Sequence, residues 1–135
     1  MDKSRIEKEK RAFVHIYREE VLPHRNRKVK LLGRKCSPTI ISTFLGFEVK
    51  AGRKRITCPD KTTARYLKIF TELGLEEVLI PYDPTRTAGI LPSLESHFLR
   101  IKELLADEKL AESERRKATR QTYQQLRKQL KGGAQ

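Results

Sequence analysis

Apolar residues recur at helical spacing in three stretches of the chain. From residue 4 to residue 22 they form one stripe, with Ser4 as the expected N-cap and Pro23 as the stop. Asp60 is positioned to cap a second helix, and Gly74 is positioned to end it. A third amphipathic helix is expected to begin at Ser93. Each pattern predicts a helix that buries one face.

Shorter segments between these helices predict strands. Phe47–Lys50 and Arg55–Cys58 flank a Gly-containing turn and predict a β-hairpin, and a short strand is expected within residues 28–32. Residues 39–45 are ambiguous, because Ser-Pro before them and Gly46 after them favour a short helix while their β-branched side chains favour a strand. Helix is the preferred assignment. Residues 77–80 predict a strand that would complete a βαβ unit with the hairpin, right-handed if its strands are parallel.

Beyond Asp107 the sequence still favours helix, but apolar positions become sparse. Tyr123, Leu126 and Leu130 form a narrow seam that suits self-association or docking on a partner, and basic residues along the same helix could instead follow a phosphate backbone. We therefore expect residues 1–106 to fold as a single α+β domain. Residues 107–135 are expected to form a basic, largely solvated helix that becomes ordered on its partner.

The expected architecture is a small sheet covered by amphipathic helices, with long helices at both ends of the chain. The sheet would combine the basic hairpin with the strand at residues 77–80. A chain of 135 residues with 37% hydrophobic and 35% charged residues is long enough for one domain with a modest core. The fold class is therefore α+β.

Positive charge is concentrated in one part of the sequence. The chain has a formal net charge of +13, and residues 21–59 contain ten Lys or Arg but one acid, Glu48. The first basic cluster, at residues 25–35, comprises Arg25, Arg27, Lys28, Lys30, Arg34 and Lys35, and the second basic cluster, at residues 50–55, comprises Lys50, Arg53, Lys54 and Arg55. Such clusters repel themselves unless they face solvent or an anionic partner. A polyanion that bound there would release counterions and gain affinity without reading any base.

The charge pattern predicts a non-catalytic nucleic-acid-binding protein. RNA is slightly preferred over DNA, because no DNA-reading motif is visible and a basic hairpin suits contact with an A-form backbone. Arg86, in a turn-rich segment after the strand at residues 77–80, is a further phosphate-binding candidate, although an ordinary structured turn is the preferred interpretation of the segment. Phe44, Phe47 and Tyr66 could stack on bases, but core burial is the preferred expectation for both Phe residues and for Tyr66. The alternative function is a protein-interaction module that binds an acidic partner through the same cations or a helical partner through the C-terminal seam.

Enzymatic chemistry finds little support in the sequence. Glu48-Val49-Lys50 resembles the acid-x-Lys of metal-dependent nucleases, but a second carboxylate is missing because Asp60 is better used as a helix cap. The three histidines lie on separate elements, and Cys36 and Cys58 are too few for a zinc site of usual spacing. We expect no catalytic set, no metal and no cofactor, and two small buried thiols. Without an apolar signal segment or a membrane-length apolar run, a cytoplasmic location and no membrane partner are expected.

Overall fold

The computed structural model describes residues 1–133, in which four helices and five strands form an α+β fold. The elements in chain order are α1 (Lys3–Glu20), β1 (Asn26–Lys30), β2 (Thr39–Thr43), β3 (Gly46–Ala51), β4 (Lys54–Cys58), α2 (Lys61–Leu73), β5 (Glu77–Pro81), α3 (Pro84–Leu105) and α4 (Glu112–Gly133). The α+β class and the long first and last helices are confirmed. Within this range no helix is both long enough and apolar enough to cross a membrane.

The strands form two separate antiparallel sheets. In the three-stranded sheet, β3 lies between β2 and β4, with Val49 opposite both Ile40 and Ile56. The other sheet pairs β1 with β5, and Val29 lies opposite Val78. The hairpin and the strands within residues 28–32 and 77–80 therefore exist. The expected single sheet and the βαβ unit are wrong, because β5 pairs antiparallel with β1 and not with the hairpin.

β5 pairs with β1 on one edge, and two tyrosine hydroxyls bond its backbone in place of a second neighbouring strand. The Tyr66 hydroxyl donates to the Leu79 carbonyl at 2.7 Å, and the Leu79 amide donates to the Tyr17 hydroxyl at 3.0 Å. These bonds satisfy backbone groups that a neighbouring strand would otherwise pair. Burial raises the pKa of the Tyr66 hydroxyl well above its ordinary value, so this donor keeps its proton.

The preferred helix at residues 39–45 is wrong, since residues 39–43 form β2. The β-branched side chains there pack on a pleated surface and pair with β3, which overrides the helix signals on either side. Gly46 does not end a helix. It begins β3 with a φ of +128°.

Both ends of α2 were predicted correctly, whereas the starts of α1 and α3 were not. Asp60 caps α2 by accepting from the Thr63 amide at 2.7 Å, and Gly74 ends that helix at a φ of +90°. At α1 the cap is Asp2 and not Ser4. The predicted start of α3 at Ser93 is wrong as well, because Asp83 caps that helix and Pro84 occupies its first turn.

The core is built around aromatic side chains from α1, α2 and α3. Phe13 lies 5.6 Å from Phe70 and 6.2 Å from Phe98 between ring centroids, and Tyr66 packs against Phe70 at 4.9 Å. These four side chains are almost completely buried. Their positions follow the apolar stripes of the three helices, so burial of Tyr66 is confirmed.

The apolar stripe of α4 belongs to the same core. Tyr123, Leu126 and Leu130 are only 3%, 0% and 3% exposed, and the Tyr123 ring lies 5.9 Å from that of Phe98. Arg127 also donates to the Leu73 carbonyl at 2.7 Å, at the C-terminus of α2. The expectation that this seam docks on a partner is therefore wrong. An apolar stripe that is too narrow to form a coiled coil can still pack into a groove between other helices of the same chain.

Candidate nucleic-acid interface

The first basic cluster begins on β1, an edge strand whose charged side chains reach solvent. Arg27, Lys28 and Lys30 are all exposed. Glu77 on β5 lies directly opposite Lys30, and its carboxylate is 3.5 Å from the Lys28 ammonium group. Glu77 thus forms an ion pair with Lys28 and lies across the strand pair from Lys30. An exposed ion pair of this kind contributes little energy and leaves the region positive.

The second basic cluster surrounds the β3–β4 turn. Lys50 and Arg55 lie directly opposite each other in the antiparallel register, an arrangement in which like charges destabilise a sheet. Arg55 is also 3.5 Å from the Glu48 carboxylate, whereas Arg53 projects from the turn beyond both strands. The Glu48 carboxylate offsets part of this repulsion, and the turn keeps a net positive charge.

Arg34, near the end of the first basic cluster, lies beside the turn that carries the second. Its guanidinium nitrogen lies 3.8 Å from the position that a Cβ would take on Gly52, in the β3–β4 turn. At the other end of β4, Arg27 influences the Cys58 thiol: burial raises the pKa of that thiol, Asp60 adds to the rise, and the charge of Arg27 opposes it. Positive charge from both clusters therefore meets at the β3–β4 turn, whereas the Cys58 end of β4 has both Arg27 and Asp60 in its surroundings.

The other cations singled out by sequence are held by partners within the chain. The Arg25 guanidinium lies 4.3 Å from the centre of the Tyr82 ring, and the Lys35 ammonium lies 5.5 Å from that of Tyr123. Arg86 belongs to the first turns of α3 and not to a loop, and its guanidinium is 2.9 Å from the Glu20 carboxylate. Arg86 is therefore the least available of the candidates. Arg25 and Lys35 remain exposed.

The three-stranded sheet has one covered and one open face. Ile40, Val49 and Ile56 pack against the core, where α2 covers the sheet. Because side chains alternate along a strand, the outer face carries the residues between them. These are Thr39, Ile41 and Thr43 on β2, Glu48 and Lys50 on β3, and Arg55 and Thr57 on β4.

The β2–β3 turn carries two exposed apolar side chains, Phe44 and Leu45. Phe44 is 108% exposed and Leu45 is 85% exposed, so the expected burial of Phe44 is wrong. Phe47 lies on the inner face and is partly buried against the core. A signal was present in the sequence: once residues 39–43 are taken as a strand, Phe44 and Leu45 fall at the tip of a hairpin, where Gly, Asn or Asp is usual.

The acidic groups near the interface differ in how well they are partnered. The Asp60 carboxylate caps α2, whereas Glu48 Oε1 lies 3.5 Å from Arg55 and has no hydrogen-bond partner among the described residues. Among the residues described, no three His, Cys, Asp or Glu side chains are grouped so that they could hold a metal ion. Cys58 is a buried free thiol, and Cys36 is a partly buried free thiol whose Sγ lies 3.5 Å from the Thr71 carbonyl.

The arrangement around β4 is chemically suited to contact with several anionic groups at once. It offers exposed guanidinium and ammonium groups, an open sheet face and an apolar tip. A comparison of the chain with protein-family models found no match, and searches of curated proteins and of solved structures gave no significant match.

Proposed function

We propose that the chain is a non-catalytic nucleic-acid-binding protein that contacts the phosphate backbone through the two basic clusters. The position of Arg34 beside Gly52 carries this proposal, because it joins clusters that the sequence separates. From Lys54 to Cys58, β4 extends roughly 13 Å at about 3.3 Å per residue, a length that spans several phosphates. Binding would be driven by the release of counterions from those phosphates.

The same surface favours shape recognition over base reading. The cations lie on an edge strand and at the turn of a two-stranded β-ribbon, an element that can follow a nucleic-acid backbone or enter a major groove. Such a surface suits the backbone of RNA, which proteins recognise mainly by shape and by unpaired segments. We therefore propose RNA as the preferred partner over DNA.

Salt dependence of RNA binding tests the proposal. Replacement of Arg53, Lys54 and Arg55 together with Gln removes three phosphate contacts, so the slope of log K against log salt should become shallower by about two to three. Filter binding at several salt concentrations measures the slope. Circular dichroism verifies that the variant folds, since Glu48 loses its ion pair with Arg55.

A matched variant separates local contact from net charge. Lys3, Lys8 and Arg11 are exposed on α1, a helix that packs mainly against α3 and not against the three-stranded sheet, and their replacement with Gln removes the same total charge. This control should keep the wild-type slope. Equal slopes in all three proteins would reject the basic clusters as the contact surface. A purified protein that binds no RNA but captures one acidic protein would instead support the interaction-module alternative.

A further inference from the structure

Two large apolar side chains project into solvent at the β2–β3 turn. Phe44 is 108% exposed, and Leu45 beside it is 85% exposed. A folded protein gains nothing from leaving both in water, since burial of either would contribute roughly 1.5–3 kcal/mol. Both lie at the tip of the β2–β3 hairpin, beyond its last residue pair, Thr43 and Gly46.

The tip is held in a defined shape. Thr43 and Gly46 pair across the turn, and the Leu45 amide donates to the Thr43 hydroxyl at 3.3 Å. Gly46 is also fixed from the other side, because a Cβ there would lie 2.8 Å from the Cys58 carbonyl oxygen. The Phe44 ring is thus presented by a paired hairpin and not by a slack loop. Binding to this ring therefore costs little conformational entropy, because the hairpin is already ordered.

The outer face of the three-stranded sheet joins this tip to the second basic cluster. From Gly46 to Ala51, β3 extends roughly 17 Å at about 3.3 Å per residue. Exposed Lys50 and Arg55 lie toward the far end, with Arg53 beyond them. An aromatic ring at one end and cations at the other match a partner that offers both flat rings and negative charges.

We propose that Phe44 stacks on an unpaired base of single-stranded RNA whose backbone follows this outer face to the second basic cluster. This inference rests on the proposed function and narrows it from RNA to unpaired RNA. In a duplex, neighbouring bases already cover the faces of each base, so a side-chain ring reaches one only where the strand is unpaired. A lipid surface fits less well, since these cations lie about 17 Å behind the tip and interfacial side chains enter a bilayer by only about 5–10 Å.

A fluorescent substitution tests the stacking directly. The chain contains no Trp, so Phe44→Trp creates a single reporter at the tip. A single-stranded RNA of about 16 nucleotides should quench its fluorescence, and the same strand annealed to its complement should not. Leu99→Trp is the control, because Leu99 is 53% exposed on α3, a helix that packs on α1 and α2 and not on the three-stranded sheet. Its emission should be unchanged by either RNA.

Affinity provides the second measurement. Phe44→Ala should weaken binding of the single strand by roughly tenfold and leave duplex binding unchanged. Phe44→Leu keeps an apolar side chain but has no ring face, so it should behave like Phe44→Ala. The triple Gln variant of residues 53–55 should weaken binding of both RNAs.

The outcomes separate the two proposals. If Phe44→Ala binds the single strand normally while the triple Gln variant does not, the stacking inference is wrong and the proposed function stands. If the wild-type protein binds neither RNA, the proposed function fails and the inference fails with it. A blue shift in the emission of the Phe44→Trp variant with phosphatidylserine vesicles, without quenching by RNA, would identify the tip as a membrane anchor and overturn the inference.

Discussion

Gly46 is required at the β2–β3 turn for two independent reasons. Its φ of +128° is a conformation that other residues rarely adopt, and an added Cβ would lie 2.8 Å from the Cys58 carbonyl oxygen. We expect Gly46→Ala to lower the free energy of unfolding by about 1–3 kcal/mol. Chemical denaturation measured by circular dichroism would show this loss.

Gly89 provides the matched control. It lies inside α3, and apart from the neighbouring backbone of that helix no described atom lies within 4 Å of the position that its Cβ would take. Gly89→Ala should therefore raise the free energy of unfolding by about 0.5–1 kcal/mol, since Ala is the better helix former. If both substitutions were neutral, the conformation described for the turn would be incorrect.

Single residues were predictable where their role depends on near neighbours in sequence. Asp60 and Gly74 fall at the ends of a clear apolar stripe, and both cap α2 as expected. Phe44 was not predictable in this way, because its exposure depends on whether residues 39–43 are a strand. That choice was decided by pairing with β3, a contact that no local propensity describes.

At the level of elements, α4 depends on its fit to the rest of the chain. Leu126 is completely buried, and its neighbours on the stripe contact the core. We expect Leu126→Ala to cost about 2–5 kcal/mol of the free energy of unfolding, whereas Leu99→Ala, at an exposed position of α3, should cost about 0.5 kcal/mol or less. Thermal and urea unfolding measure both. A neutral Leu126→Ala would restore the view of α4 as a separate solvated helix.

Patterning found the elements more reliably than it found their partners. The stripe of α4 was recognised from sequence, but periodicity shows only that a face is covered and not what covers it. The same limit applies to β5, whose pairing with β1 depends on register and on the Tyr17 and Tyr66 hydroxyls. Long-range contacts of this kind cannot be recognised from the residues of one short sequence segment.

At the scale of the whole molecule, the distribution of charge was predicted in part. Sequence identified the two basic clusters, and the structure adds that Arg34 lies against the β3–β4 turn. In the structure Arg86 forms an ion pair with Glu20, so it is less available to a partner than the exposed cations. Which of the cations face the same side could not be deduced before the two sheets and their order were known.

The cost of concentrating positive charge around β4 should be measurable in the free protein. A net charge of +13 destabilises a compact state by self-repulsion, and salt screens that repulsion over a Debye length of about 10 Å at 0.1 M. The Tm should therefore rise as NaCl increases from about 20 mM to about 200 mM.

Replacement of Arg53, Lys54 and Arg55 with Gln should reduce this rise in Tm, because like charges lie closest there. Replacement of Lys3, Lys8 and Arg11 with Gln should leave most of it, since acids are interspersed along α1. An equal rise in both variants would mean that the repulsion is spread over the whole surface, and the electrostatic argument for one anion-binding face would no longer hold.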